Sequence, residues 1–514
     1  MGLGAALGLP EGAAPRSRGR SELGVVTGAS RSRSAGSGAG RAAPTARAVA
    51  TRVLYRVDTD GAWAAPTLDA ELGRARLDAR DAALATAIVY GALRTVPSLD
   101  RIVDAHLTRR GAPVDPWARA ALRAAVYQLR HLERVPAYAV VDEAVRIART
   151  GRGAPVGRFV NAVLRKIAAE SPGSGGGPDR IEAPRAARDM VVRSLGELRG
   201  ERFWTAERSP PPLDLRVTRG RDAAGVAAAI RAARPEAEVR LARGAPRALR
   251  VRHAGDVRTL PGYAAGDFAV QELGSQLIGA LVGAQPGERV LDACAGRGGK
   301  TAQLAAGVGA TGHVTAVDVH EHRLERVPVE LRRLGLTPGS LELQTVDLSV
   351  GTGGLEGGFD RVLVDAPCTG LGTVQRRPEL LLRFDPGQPA RLRDLQAAIV
   401  RNAAALLRPG GLLVYAVCSP LSEEGPEAVE AAFRDGAVSP APVAAGSAPP
   451  EVAWAAAVAP DPDGWVRLGP WLADAEGRGG GEGAEPASEG GGWREATDSY
   501  QIFRGAIDRL PGRG

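Results

Sequence analysis

Cysteine is nearly absent from this 514-residue chain: it stands only at Cys294, Cys368 and Cys418, with no C-x-x-C spacing. That excludes a disulfide-built scaffold and a zinc ribbon, and points to a reducing, cytoplasmic setting. Lysine is rarer still, at Lys166 and Lys300 in a background of arginine. Such Arg/Ala/Gly richness reads as the mark of a GC-rich genome and says little about function. No apolar run approaches the roughly 20 residues of a membrane span, so no membrane partner is expected. Net charge is also small in the body of the chain. The formal net charge is +8, and Arg16, Arg18, Arg20, Arg31, Arg33, Arg41 and Arg47 against Glu11 and Glu22 put +5 of it in the first fifty residues. A nucleic-acid partner is permitted by this balance rather than required by it.

Residues 1–44 lack apolar periodicity and read as a disordered basic tail, a bacterial extension or misassigned start rather than an organelle transit peptide. They hold no secretory hydrophobic segment, and Ala6 breaks a myristoylation pattern. Residues 45–170 are predicted to be all-α, with six or seven helices. VATRVLYRVD, DARDAALATAIVYGALR, WARAALRAAVYQLRHLERV and GRFVNAVLRKIA each place apolar residues at three- and four-residue spacing. SPGSGGGP opens a linker, 171–184. Residues 185–283 mix helix and strand as a small α+β subdomain. From 284 to 508 strands and helices alternate through RVLDACA, HVTAVDV, LELQTVDL, FDRVLVDA and LLVYAVCS, which predicts a doubly wound, Rossmann-like parallel sheet. GRGGGEGAEPASEGGG, 477–492, reads as a disordered insertion before a last strand near Tyr500–Phe503.

Cys294-Ala295-Gly296-Arg297-Gly298-Gly299-Lys300-Thr301 follows a strand and opens a helix, so its backbone can approach a ligand closely. A P-loop needs glycine where Cys294 stands, and a dinucleotide fingerprint needs glycine where Thr301 stands. The remaining reading is S-adenosylmethionine. Asp318 ends the second strand, 22 residues after Gly296, placed for ribose hydroxyls; Asp347 ends the third, placed for the adenine edge; Asp365 ends the fourth. Any one of these acids taken alone reads more readily as a turn or capping residue. Their joint placement favours a cofactor rim.

In a sheet of order 3-2-1-4-5, strands 4 and 5 lie about 4.8 Å apart, so Cys368 and Cys418 leave neighbouring strand ends on the cofactor side. Cys294 alone reads as a small buried apolar residue. A thiol pair there suits methylation of carbon 5 of a pyrimidine, which is not nucleophilic unaided. A thiolate adding to carbon 6 makes carbon 5 carbanion-like. Asp365 is placed to protonate or hydrogen-bond N3, and a second cysteine to assist elimination.

DACAGRGGKT, AVDVHEHRLERV, VDL, DAPCTGLGTVQRRPEL and YAVCSPLSEE, in that order, resemble the motifs of the RNA (cytosine-5) methyltransferases. RDAALATAIVYGALR, LRAAVYQLRHLERVPAYAVVDEAV and FVNAVLRKI resemble the RNA-binding domain of the antitermination factor NusB. Together they resemble the bacterial 16S ribosomal RNA methyltransferases of the RsmB (Sun/Fmu) type over roughly residues 46–430. The resemblance implies a NusB-like helical domain, a ferredoxin-like subdomain at 185–283 and a methyltransferase domain acting on 16S rRNA as a monomer. It makes Cys418 the nucleophile and Cys368 the residue that assists product release. It also makes residues 294–300, Asp318, Asp347 and Asp365 the cofactor-binding positions. Arg94, Arg123, Arg130, Arg134 and Arg158 are candidate RNA contacts of the helical domain.

The chain departs from the family pattern at four places. Gly296-Arg297 replaces Ala-Pro, leaving Arg297 to meet the methionyl carboxylate or RNA; Val417 replaces threonine; Gly425 replaces asparagine; and TDSYQIFR replaces the usual D-G-F-F strand. None removes a catalytic atom. A transfer RNA cytosine-5 methyltransferase, or a catalytically dormant ribosome assembly factor, are the competing readings.

Overall fold

The computed structural model describes residues 44–109, 111–133, 135–170, 182–206, 211–242, 245, 247–434, 438–441, 465–469 and 498–507. The expected tail (but for residue 44), most of the linker, the 477–492 insertion and Arg134 lie outside the described residues. The chain divides into two compact units, residues 1–178 and 179–514.

Among the described residues the first unit shows seven helices: α1 (Ala46–Thr59), α2 (Ala64–Ala75), α3 (Ala79–Arg94), α4 (Val96–Ala105), α5 (Pro116–His131), α6 (Ala137–Arg152) and α7 (Ala154–Ala169). Their starts carry the expected chemistry. Thr45, Asp78 and Asp115 accept hydrogen bonds from the first-turn amides of α1, α3 and α5. Val53, Val57, Leu122, Val126, Val160, Leu164 and Ile167 meet in one apolar core at three- and four-residue spacing.

Two of the candidate RNA-contacting arginines belong instead to this domain's own packing. Arg123 is 9 % exposed. It makes paired hydrogen bonds of 2.9 and 2.7 Å to Asp100 and an ion pair to Asp58. Arg94 is also buried, and Arg130 pairs with Glu170 at 3.0 Å. Arg158 is exposed, as are Arg149, Arg165 and Lys166 along α6 and α7.

In the second unit α8 (Arg185–Leu195) and α9 (Glu197–Ala206) precede a four-stranded antiparallel sheet of order β2-β3-β1-β4. Its strands are β1 (Leu213–Val217), β2 (Glu238–Leu241), β3 (Ala248–Arg252) and β4 (Phe268–Val270), covered by α10 (Ala223–Ala233). Helices α8 and α9 do not share that core. Met190, Val191, Phe203 and Trp204 pack with Leu371, Val374 and Leu421 of the loops that follow the two paired cysteines.

Next come α11 (Leu273–Val282), β5 (Arg289–Asp292), α12 (Gly299–Val308), β6 (His313–Asp318), α13 (Glu321–Leu324), α14 (Val327–Arg333), β7 (Ser340–Thr345) and β8 (Phe359–Asp365). The chain continues through α15 (Gln388–Ala404), β9 (Leu407–Val417), α16 (Pro426–Ala432), β10 (Val438–Pro440), β11 (Val466–Leu468) and β12 (Tyr500–Ile507). The sheet order is β10-β12-β9-β8-β5-β6-β7, with β11 against β12. Strands β5 to β9 are parallel in the expected 3-2-1-4-5 order, and β12 adds antiparallel to β9 with Gln501 opposite Val417. EHRLERVPVELRRLG, which reads as one helix, is two, because Pro328 falls in the first turn of α14 and cannot donate back to the preceding turn.

Candidate active site

The glycine loop joins β5 to α12 at the carboxyl edge of the sheet. Gly296 and Gly298 take φ of 56° and 88°, conformations that other residues adopt only with strain. A side chain at Gly296 would meet nothing within 4 Å, so this backbone is open to a ligand. Asp318, the last residue of β6, holds the loop: its carboxylate accepts from the Gly296 amide at 3.0 Å and the His320 amide at 2.9 Å. Asp347 stands two residues past the end of β7 rather than on it. Its Oδ1 accepts from the amide and hydroxyl of Ser349, and among the described residues no hydrogen bond engages Oδ2. Arg297 is exposed at the loop tip.

Inside the loop Asp292, 1 % exposed, accepts from the Thr301 hydroxyl at 2.7 Å while its Oδ1 has no partner. Burial, helped by the charge of Asp365, raises its carboxyl to about 6. Lys300 reaches across to Asp365 at 2.6 Å. Burial works against the Lys300 charge, but the field and hydrogen bond of Asp365 outweigh it and hold the ammonium above its ordinary range. Cys294 packs at the edge of the sheet core. Burial, then the surrounding aspartates, push its thiol well up, as for an inert cysteine.

Strands β8 and β9 bring the other two cysteines together: Cys368 Sγ and Cys418 Sγ are 3.3 Å apart. This is a contact between free thiols, well beyond the roughly 2.05 Å of a disulfide. The hydrogen bond with Cys418, followed by burial, pushes the Cys368 thiol well above its ordinary range. Either sulfur can be the donor in this contact.

One residue that the sequence patterns left without a role organises this pair. Glu424, fully buried, accepts from the Thr369 amide at 2.6 Å, the Thr369 hydroxyl at 2.6 Å and the Ser419 hydroxyl at 2.5 Å. It thus ties together the residues that follow the two cysteines. Burial raises its carboxyl despite the donors from Ser419 and Thr369. The only hint in the sequence is its place in YAVCSPLSEE.

The departures at Gly425 and in the last strand belong together. Gln501 of β12 donates to the Ser419 and Leu421 carbonyls at 3.0 and 2.7 Å. A side chain at 425 would fall 2.5 Å from the Gln501 amide oxygen. Glycine at 425 leaves the room that Gln501 takes to brace the loop after Cys418.

A parallel sheet of this order, an open glycine loop and acids at successive strand ends define an S-adenosylmethionine-dependent methyltransferase. Residues 280–444 match the family described as 16S rRNA methyltransferase RsmB/F, and residues 44–169 match the NusB family. The chain is 31 % identical to the probable ribosomal RNA small subunit methyltransferase B of Bacillus subtilis, covering 76 % of this chain and 88 % of that protein. It is 36 % identical to a putative methyltransferase of Mycobacterium tuberculosis over 76 % of this chain and 86 % of the relative. The crystal structure of PH0851 superposes with a TM-score of 0.71 at 21 % identity, over 90 % of this chain and 99 % of that one, which shows the shared fold. The chain belongs to the RsmB/F family of methyltransferases.

Proposed function

We propose that this enzyme methylates carbon 5 of a cytosine in 16S ribosomal RNA through a covalent bond between Cys418 and carbon 6. The observation that carries this is the 3.3 Å sulfur pair just past the ends of two neighbouring parallel strands, and the family resemblance assigns Cys418 the attack. The family description and the name of the Bacillus subtilis relative support the RNA substrate. S-adenosylmethionine, when bound by the 294–300 loop, Asp318 and Asp347, supplies an electrophilic methyl group. Asp318 keeps lone pairs for ribose hydroxyls, and Oδ2 of Asp347 is free for the adenine edge.

The chain's own residues do the rest. The Cys418 thiolate adds to carbon 6, and the electron pair of the 5,6 double bond moves toward carbon 5. The Lys300–Asp365 pair holds a proton at the rim for N3 as the base gains electron density. Once carbon 5 carries the methyl group, water takes the carbon-5 proton, the pair of that carbon–hydrogen bond re-forms the 5,6 double bond, and the carbon–sulfur bond breaks with its pair returning to Cys418. Cys368, 3.3 Å from that sulfur, is placed to assist its departure. Arg149, Arg158, Arg165 and Lys166, all exposed, are the phosphate contacts assigned to the helical domain. Among the described residues no single helix is long and apolar enough to cross a membrane. The reading includes a cytoplasmic enzyme that acts as a monomer.

The test is trapping. Cys368→Ala should transfer methyl and then stall, leaving a denaturant-resistant, cofactor-dependent RNA–protein band; Cys418→Ala should give no band and no product. A band with Cys418→Ala instead would exchange the roles. Loss of activity in both variants without a band would reject the covalent route. Bisulfite mapping of ribosomal and transfer RNA from a deletion strain decides between the two substrates.

A further inference from the structure

We propose that the cleft between the small sheet and helices α11 and α12 is a phosphate-binding site, separate from the methyl-transfer site, with Arg216, Arg219 and Arg247 as its cationic groups. The cleft has a volume of about 200 Å³, and Gln276, Gln285 and Gln303 add polar groups to its wall. No aspartate or glutamate is among its described lining residues.

Strand β1 shows why Arg216 is unusual. Leu215 and Val217 enter the small sheet's own core, so the alternation of a strand turns Asp214 and Arg216 to the opposite face. On that face Asp214 is fully matched: Arg250 and Arg376 each pair with it at 3.0 Å, and the Leu273 amide donates to it. Arg216 is only 8 % exposed, yet among the described residues its guanidinium makes one hydrogen bond, from Nε to the Gln271 amide oxygen at 2.6 Å. Among those residues it has no ion pair, and its Nη2 is buried without a partner. A buried guanidinium left without an anion is unfavourable by several kcal/mol in general, so such groups are normally paired. Burial, and the charge of Arg247 beside it, pull the Arg216 guanidinium down to about 10, with Glu330 opposing.

The group is also held in place. Gln271, which accepts from Arg216, itself donates to Gln303 at 3.1 Å and to the Ser275 carbonyl at 3.1 Å. The free edge of a fixed planar fork beside further guanidiniums suits the oxygens of a phosphate. Gln285 and Pro286 of the wall precede β5, at the opposite end of that strand from the cofactor loop, so the methyl donor is not the ligand. A phosphodiester of bound RNA and a free phosphate or nucleotide share the required chemistry.

The test uses the full chain with inorganic phosphate, adenosine monophosphate and a 16S rRNA fragment as probes. Phosphate should raise Tm over chloride at equal ionic strength. Arg216→Gln should weaken phosphate binding at least about tenfold while calorimetry shows unchanged S-adenosylmethionine binding. Arg219 is exposed, so Arg219→Gln keeps the fold and should weaken phosphate as well. If the bound group belongs to RNA, phosphate competes with the fragment, and the salt slope of RNA binding falls by about 0.7 in Arg219→Gln. If it is a free anion, phosphate or the nucleotide binds and the RNA slope stays as in wild type. Wild type that binds neither phosphate nor nucleotide, together with an unaltered RNA slope in both variants, would overturn the proposal.

Discussion

Helix α5 of the helical unit and the cysteine rim of the sheet are both buried, but different forces hold them. Helix α5 buries Leu122, Val126 and Tyr127 among alanines, and its one buried charge, Arg123, is matched by Asp100 and Asp58. At the rim, a carboxyl group with a raised proton affinity binds three donors from two loops. Apolar burial is non-directional and tolerates small displacement. A buried polar network is directional, and it fixes positions at a price in desolvation. At the rim the network fixes the two loops that carry sulfurs 3.3 Å apart. The helical unit needs only a stable frame that leaves its exposed cations to solvent.

Removing the clamp should give the largest effect. Glu424→Ala orphans the donors of Thr369 and Ser419, and misplacement of the thiols should lower kcat about a hundredfold or more. Binding of S-adenosylmethionine should stay near wild type, since the glycine loop is untouched. A kcat within a few-fold of wild type would show that the thiols hold their own positions. On the other side of the comparison, Leu122→Ala should destabilise the helical unit by about 2–5 kcal/mol. Chemical denaturation should show this with the methyl donor still bound normally.

The next prediction concerns the cofactor rim. Asp318→Ala loses charge-assisted hydrogen bonds worth about 1.5–3 kcal/mol. The donor should bind about tenfold to a hundredfold more weakly by calorimetry. Unchanged affinity would take Asp318 out of the cofactor site and leave it only the loop-holding bonds to Gly296 and His320.

The smallest effect is a pH dependence. The folded-state value of Asp292, about 6, lies above its ordinary 3.8. Between those values the unfolded chain loses this proton while the folded one keeps it, so stability falls as pH rises from about 4 to about 6 and stays lower above. Asp292→Asn removes this loss and can still accept from Thr301. Its stability should therefore gain on wild type by on the order of 2 kcal/mol between pH 4 and pH 7.5. A constant difference between the two proteins across that range would place the titration elsewhere.

Much of this was legible from the linear chain, for identifiable reasons. Six helical segments showed in the 45–170 stretch because their apolar residues repeat within a single element. Helix α2 was harder to see, since its buried face is Ala64, Thr67, Leu68 and Glu71, with a single large apolar side chain. The glycine loop and the strand-end acids carry their chemistry in local order. The division of arginines was not legible. Arg123 and Arg158 look alike in the chain, yet one is locked to Asp100 and the other lies in solvent.

The pattern of residues alone specifies a helical domain followed by a methyltransferase sheet, and places Cys368 and Cys418 on adjacent strand ends. Periodicity, glycine spacing and strand alternation are local properties, and they survive in a one-dimensional record. Folding settled matters that join distant positions. Glu424 clasps Thr369 across 55 residues, Gln501 braces Leu421 across 80, and Arg216 is buried without an anion among the described residues while Asp214 beside it takes two arginines. Hydrogen bonding and desolvation depend on which groups meet in space, and those neighbours exist only once the chain has closed on itself.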